Sequence, residues 1–309
     1  MMKLLAPVNS YESAEKVISA GANEIYFGID DDVFNTYSFT GRGKYTFNEM
    51  KVLCSFNEAK KIISYAHSNN VLVNFLCNTQ FITDNDKGVF EKALLEHIEK
   101  AISIKVDSVV IGDIGLLYLL RQRNYNVPIH ASLYFRTVNV DQLKFLREYN
   151  VVRATLSYSV TIDDIQQLVS SNIMEIEVPG YLGCSFYNGA CNCLHSLGEG
   201  VFDAFDPGII CKSNYIVDDG KHTQHIKLFD NEMACSLCCL GELNFLGVSA
   251  LKIVGRDRNC NNISEVVDLY KKALEGKFSK NNIPKSWELS WCRGKRCKFI
   301  NEERLQYYI

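Results

Sequence analysis

The segment KLLAPVNSYESAEKVISAGANEIYFGI, Lys3 to Ile29, sets an apolar run, a stretch of helical spacing and a second apolar run one after another. The two runs read as buried strands, and SYESAEKVISAG between them reads as a helix with Ser10 as N-cap and Gly21 past its end. No glycine-rich fingerprint follows the first strand, so the segment lacks the mark of an open dinucleotide-binding sheet.

The same alternation recurs along the chain. Strands are predicted at Lys3 to Val8, Glu24 to Ile29, Val71 to Cys77, Ser108 to Asp113, Pro128 to Tyr134, Arg153 to Tyr158, Met174 to Gly180 and Ala250 to Gly255. Each is followed by a segment with helical spacing, several of them opened by Ser, Asn, Thr or Asp and closed by Gly or Asn. Eight such pairs within residues 1–276 predict an α/β fold, a TIM-type (β/α)8 barrel, which typically takes about 250 residues. Roughly seventy residues separate the seventh strand from the eighth, where about thirty to forty would be usual, so a long cysteine-rich insertion is expected at 181–240. Residues 277–309 are expected to form a short C-terminal tail packing on the barrel. Loops after barrel strands form the active face, which makes the insertion a functional candidate.

With 309 residues, 47% of them hydrophobic, the chain can bury a sizeable core, and its composition excludes disorder and collagen-like classes. A net charge of -3 gives no general field for nucleic acid or an anionic membrane, while leaving room for a local basic patch. The opening MMKLLAPVNSYESAEK is too short in apolar residues for a signal peptide, and Val106 to Leu120 is broken by Asp107 and Asp113, so no membrane span is expected. A cytoplasmic location follows as the expectation. Twelve cysteines in a reducing compartment then point to metal binding or catalysis where they cluster. Cys54, Cys77 and Cys260 stand apart and read as small buried residues.

The cluster itself is GCSFYNGACNC, Gly183 to Cys193, followed by Cys211 and by Cys235, Cys238 and Cys239. Thiolates at mixed short and long spacings suit a cubane iron-sulfur cluster or a structural zinc. Six residues including Gly189 lie between Cys184 and Cys191, too open a pair for a zinc knuckle and roomy enough for a larger inorganic core. Cys235 is expected near a helix N-terminus, where partial positive charge stabilises a thiolate.

EIEVPGYLGCSFYNGAC, with one residue deleted, resembles the signature of the collagenase-like U32 peptidase family: Glu-x-Glu-Val, a glycine-rich step, then Cys-x4-Gly-x-Cys. LLAPVNSYESAEKVISAGANEIYFG, FNEAKKIISYAHSNNVLVNFLCN, HASLYFRTVNVDQLKFLRE and LGELNFLGVSALKIVGRDRN extend the likeness over Leu4 to Gly276. The resemblance implies a 4Fe-4S cluster on four cysteines, which position by position are Cys184, Cys191, Cys211 and Cys235, with Cys238 and Cys239 one helical turn from the last. It implies oxygen-independent hydroxylation of an aromatic compound, a quinone precursor or an RNA base, with prephenate the oxygen donor in some members. Two departures stand out: the family's His-Gly before the first cysteine is Gly180 and Tyr181 here, and its KIEGR is KIVGR, with Val254 replacing the acid and Arg256 kept.

Arg256, Asp113 and Ser132 are the candidates for substrate or donor contact. An Arg at the active face suits a carboxylate, whereas Asp113 serves equally as a helix cap. His130 reads as a hydrogen-bonded core residue, His222 and His225 as a solvated loop or an ancillary metal site, and Cys292 and Cys297 as part of the tail or a second metal half-site with Cys238 and Cys239. Neither H-E-x-x-H nor G-x-S-x-G occurs. The expected function is thus an iron-sulfur hydroxylase acting on a small molecule or an RNA base; a collagenase-like peptidase and a noncatalytic iron-sulfur subunit paired with a paralogue are the alternatives.

Overall fold

The computed structural model describes residues 1–30, 53–78, 88–181, 215–226, 235–256 and 258–278. They form β1 (Lys3–Pro7), α1 (Tyr11–Ser19), β2 (Glu24–Phe27), α2 (Phe56–Ser68), β3 (Leu72–Cys77), α3 (Val89–Ser103), β4 (Ser108–Ile111), α4 (Ile114–Arg123), β5 (Ile129–Ala131), α5 (Val140–Glu148), β6 (Val151–Thr155), α6 (Ile162–Ser170) and β7 (Glu175–Tyr181). After them come β8 (Tyr215–Asp218), β9 (Thr223–Ile226), α7 (Leu240–Leu246), β10 (Ala250–Ile253) and α8 (Cys260–Leu274). Eight strands close a parallel barrel in the order β1-β10-β7-β6-β5-β4-β3-β2, with helices between strands. This is the TIM-type (β/α)8 architecture.

The pleat explains why these strands hold. Leu4, Ile25, Val73, Phe75 and Val109 face outward into one large core shared with the helices, whereas Leu5, Tyr26, Leu76 and Val110 form a separate cluster in the lumen. Alternate residues of one strand therefore serve two different cores. Capping is local: Ser10 and Thr161 close capping boxes on α1 and α6, and Asn139 caps α5. Gly180 on β7 has a packing reason, because a Cβ there would lie 2.4 Å from the buried Leu251 side chain of β10.

Three expectations need correction. The fifth strand stops at Ala131 and does not reach Tyr134, because Ser132 caps a 3-10 turn at Leu133–Phe135. Cys235 does not lie on a helix; it pairs with Tyr181 in an isolated antiparallel bridge, and only after a 3-10 turn at Leu237–Cys239 does α7 begin. His225 lies on β9 of the antiparallel hairpin β8–β9, within the stretch expected to be a loop, whereas His222 is in the turn between the two strands; both are exposed as anticipated. The tail beyond residue 278 lies outside the described residues, and Phe278 at its start packs partly against the core.

Candidate active site at the C-terminal mouth of the barrel

Charged residues fill the lower and middle lumen. Arg153 of β6 donates through Nη1 and Nη2 to the two oxygens of Glu24 at 2.5 and 2.9 Å, and through Nε to Glu175 at 2.7 Å. Lys3 lies 3.1 Å from Glu24, and Asn74 donates to Glu24 at 3.0 Å while accepting from Ser108 at 2.6 Å. Burial alone would raise the Glu24 carboxyl, but the hydrogen bonds and charge of Arg153, with help from Lys3 and Asn74, outweigh it and hold the group at about 2. Burial, reinforced by Arg153, pushes His130 down to about 3, so it is neutral beside Ser108. Glu24, Ser108 and Glu175 open their strands, so this network belongs to the N-terminal half of the barrel, where residues serve stability.

One layer higher, Glu177 accepts from Thr155 at 2.8 Å and lies 3.5 Å from Lys252 Nζ, which sits 4.6 Å over the Tyr26 ring. Sequence reasoning did not pick out this lumen column. The signal was present: Lys3, Glu24, Arg153, Glu177 and Lys252 interrupt strands otherwise rich in apolar residues.

All three proposed substrate residues lie at the C-terminal ends of strands. Asp113 follows β4 and accepts from the Leu116 N–H at 3.0 Å, the capping role weighed from sequence. Ser132 follows β5, is buried, and accepts from Tyr134 N–H at 3.4 Å as the cap of the 3-10 turn. Arg256 follows β10 and is buried, with its carbonyl accepting from Asn9 at 2.8 Å. Strand order sets β10 and β4 on opposite sides of the ring, so Arg256 and Asp113 stand across the mouth from each other.

Cys235 sits at the same end. Its Sγ accepts from the Leu237 N–H at 3.5 Å and lies 3.5 Å from Tyr270 Oη. Tyr270 Oη donates to Gly180 O at 3.0 Å, and Ser236 Oγ donates to the same carbonyl at 2.8 Å. Burial pushes the Tyr181 hydroxyl up to about 12, with the Arg258 charge opposing. Cys239 is buried in the helix-facing core and Cys238 is exposed, so the three neighbours occupy different environments. Among the described residues no three His, Cys, Asp or Glu side chains gather as a metal site. Cys184, Cys191 and Cys211, with Cys193, Cys292 and Cys297, lie outside the described residues. Cys54 and Cys77 are buried as expected, whereas Cys260 opens α8 half-exposed, 3.4 Å from Lys16 Nζ.

A profile of peptidase family U32 matches residues 9–297. The chain belongs to peptidase family U32. It is 27% identical over 226 residues to tRNA hydroxylation protein P of Haemophilus influenzae, which covers 71% of this chain and 44% of that protein. It is 24% identical over 294 residues to a collagenase of Porphyromonas gingivalis, covering 88% of this chain and 65% of the relative. The chain thus spans less than two thirds of either relative's length. A solved U32 peptidase matches with a TM-score of 0.53 at 10% identity, covering 82% of this chain and 93% of that one, which bears on the fold alone. Among the described residues of this U32 chain, no helix is long and apolar enough to cross a membrane.

Proposed function

We propose that this U32 chain is an iron-sulfur protein of oxygen-independent hydroxylation, acting at the barrel mouth on an aromatic compound, a quinone precursor or an RNA base. The observation that carries the reading is the pairing of Cys235 with Tyr181 at the end of β7, three residues before Cys184 in the sequence. Three residues span at most about 11 Å, so Cys184 and Cys235 can meet at one centre. Cys235 fits a thiolate ligand: it is half-buried and its sulfur receives a backbone N–H, a contact that stabilises sulfur charge. With Cys184, Cys191 and Cys211 it would hold a 4Fe-4S cluster, which supplies redox-active iron at the mouth. Arg256 would hold a carboxylate of the substrate or of the oxygen donor, prephenate among the candidates; Ser132 and Asp113 would border the opposite side.

The relative named for tRNA hydroxylation supports this chemistry, and the one named collagenase supports peptidase activity as the second reading. The two separate by product. Nucleosides and quinones from cells with and without the gene are compared by mass spectrometry, and the purified protein is offered gelatin. Loss of a species bearing one added oxygen supports the hydroxylase; gelatin cleavage abolished by Cys235→Ala, without such a loss, supports the peptidase.

A further inference from the structure

We infer that the trough between α1 and α2, on the outer wall of the barrel, is a binding site for single-stranded RNA, with Lys60 and Lys61 on its phosphates and Tyr65 against one of its bases. This deepens the reading above by taking RNA from its substrate classes, and it rests on that choice, not on the cluster.

The trough has a volume of about 490 Å³ and is lined by Tyr11 of α1 and by Lys60, Lys61, Ser64, Tyr65 and Ser68 of α2. The five α2 residues recur at helical spacing, so they share one face of that helix over a rise of about 12 Å. Lys60, Lys61, Ser64 and Ser68 are exposed, whereas the two tyrosines are half-buried, with their rings edge to face at 5.5 Å. Among the described residues neither ammonium is paired with a carboxylate: Lys60 Nζ lies 4.6 Å over the Phe56 ring, and Lys61 has no ion-pair partner. The Ser64 hydroxyl likewise bonds to none of them. Two carboxylates come near, and both are turned to Tyr11: Glu58 accepts its backbone N–H at 3.0 Å, and Glu15 its hydroxyl.

That combination selects the ligand. Ammonium and hydroxyl donors left over beside an aromatic ring match a nucleic-acid strand, which offers phosphate oxygens to the donors and a base face to the ring. The two lysines act by contact, since a chain of net charge -3 has no broad positive field to add. A small-molecule pocket buries most of its ligand, but this trough is rimmed by exposed side chains for two helical turns and suits a strand lying along it. Its place fits the same ligand. Tyr11 opens α1, and Asn9 two residues earlier donates to Arg256 O at 2.8 Å, so the trough starts beside the rim of the candidate active site. A strand gripped there can lead a neighbouring base into the mouth.

The probe is a fluorescently labelled oligoadenylate of about eight nucleotides, titrated by anisotropy into the protein as purified, with AMP and inorganic polyphosphate as competitors. Binding that weakens about ten-fold or more in the double variant Lys60→Gln, Lys61→Gln, and about five-fold or more in Tyr65→Leu, is the expected result, with neither competitor displacing the strand at equal phosphate concentration. The slope of log affinity against log salt should flatten by about 1.4 in the double variant, two phosphates at about 0.7 each. Removing the same charge elsewhere, by Lys144→Gln with Lys272→Gln, should leave binding at the wild-type level. No RNA binding by the wild type, equal loss in that control, undiminished binding by the Lys60 and Lys61 double variant, or displacement by AMP or polyphosphate overturns the inference. RNA held through Lys60 and Lys61 by a protein whose cells gain no hydroxylated nucleoside keeps this inference and removes the hydroxylase reading; wild-type levels of such a nucleoside made by the double variant do the reverse.

Discussion

Arg153 reaches across the barrel lumen to grip both oxygens of Glu24, 129 residues away in sequence, and this bond ties β6 to β2 on the other side of the ring. Such a buried pair contributes little net stability when complete but is costly to break, because the survivor keeps an uncompensated charge. Arg153→Met removes the buried cation between Glu24 and Glu177, leaving only Lys3 and Asn74 on the first and Lys252 and Thr155 on the second, and is expected to lower unfolding free energy by about 3 kcal/mol. Adding Glu24→Leu should recover part of that loss. Urea denaturation measures both, and a single variant as stable as the wild type contradicts the account of the lumen floor.

Acid should weaken the fold in two stages. His130 has an ordinary value of 6.5 and is held at about 3, so below pH 6.5 the unfolded chain takes a proton that the folded chain refuses, and stability falls. Glu24 is held at about 2 against 4.5, so its contribution is full above pH 4.5 and is lost as pH falls toward 2. Each group adds a slope of at most about 1.4 kcal/mol per pH unit. His130→Asn should flatten the stability profile between pH 6.5 and 4.5 relative to wild type, as followed by urea titration across pH; parallel profiles would count against a neutral His130.

The eight strands were legible because their apolar runs are short, regularly spaced and separated by good helix formers with clear caps. The lumen column was not, since pairing Glu24 with Arg153 depends on ring closure, which no local pattern reveals. Asp113 was legible as a cap because capping is decided within four residues. Cys235, read as part of the helix, precedes it for the opposite reason: MACSLCCLGEL has helical spacing, yet Ser236 N–H and Oγ both bond Gly180 O, and that tertiary contact delays the first helical turn until Leu237.

Packing behind Cys235 makes its own test. Gly180→Ala would drive a methyl into Leu251, costing about 1 to 3 kcal/mol by overpacking. Tyr270→Phe removes the hydroxyl bonded to Gly180 O and facing Cys235, and should cost about 1 kcal/mol while speeding alkylation of Cys235. Thermal melts and iodoacetamide labelling followed by peptide mapping check the pair; unchanged labelling would show that Tyr270 does not shield the thiol.

The iron and sulfide content of anaerobically purified protein, wild type beside Cys235→Ala and Cys238→Ala, tests the central claim most directly. The account predicts about four irons and four sulfides per chain in the wild type, retained in Cys238→Ala and lost in Cys235→Ala. Wild-type protein that stays iron-free after reconstitution, or that holds a single zinc, contradicts it.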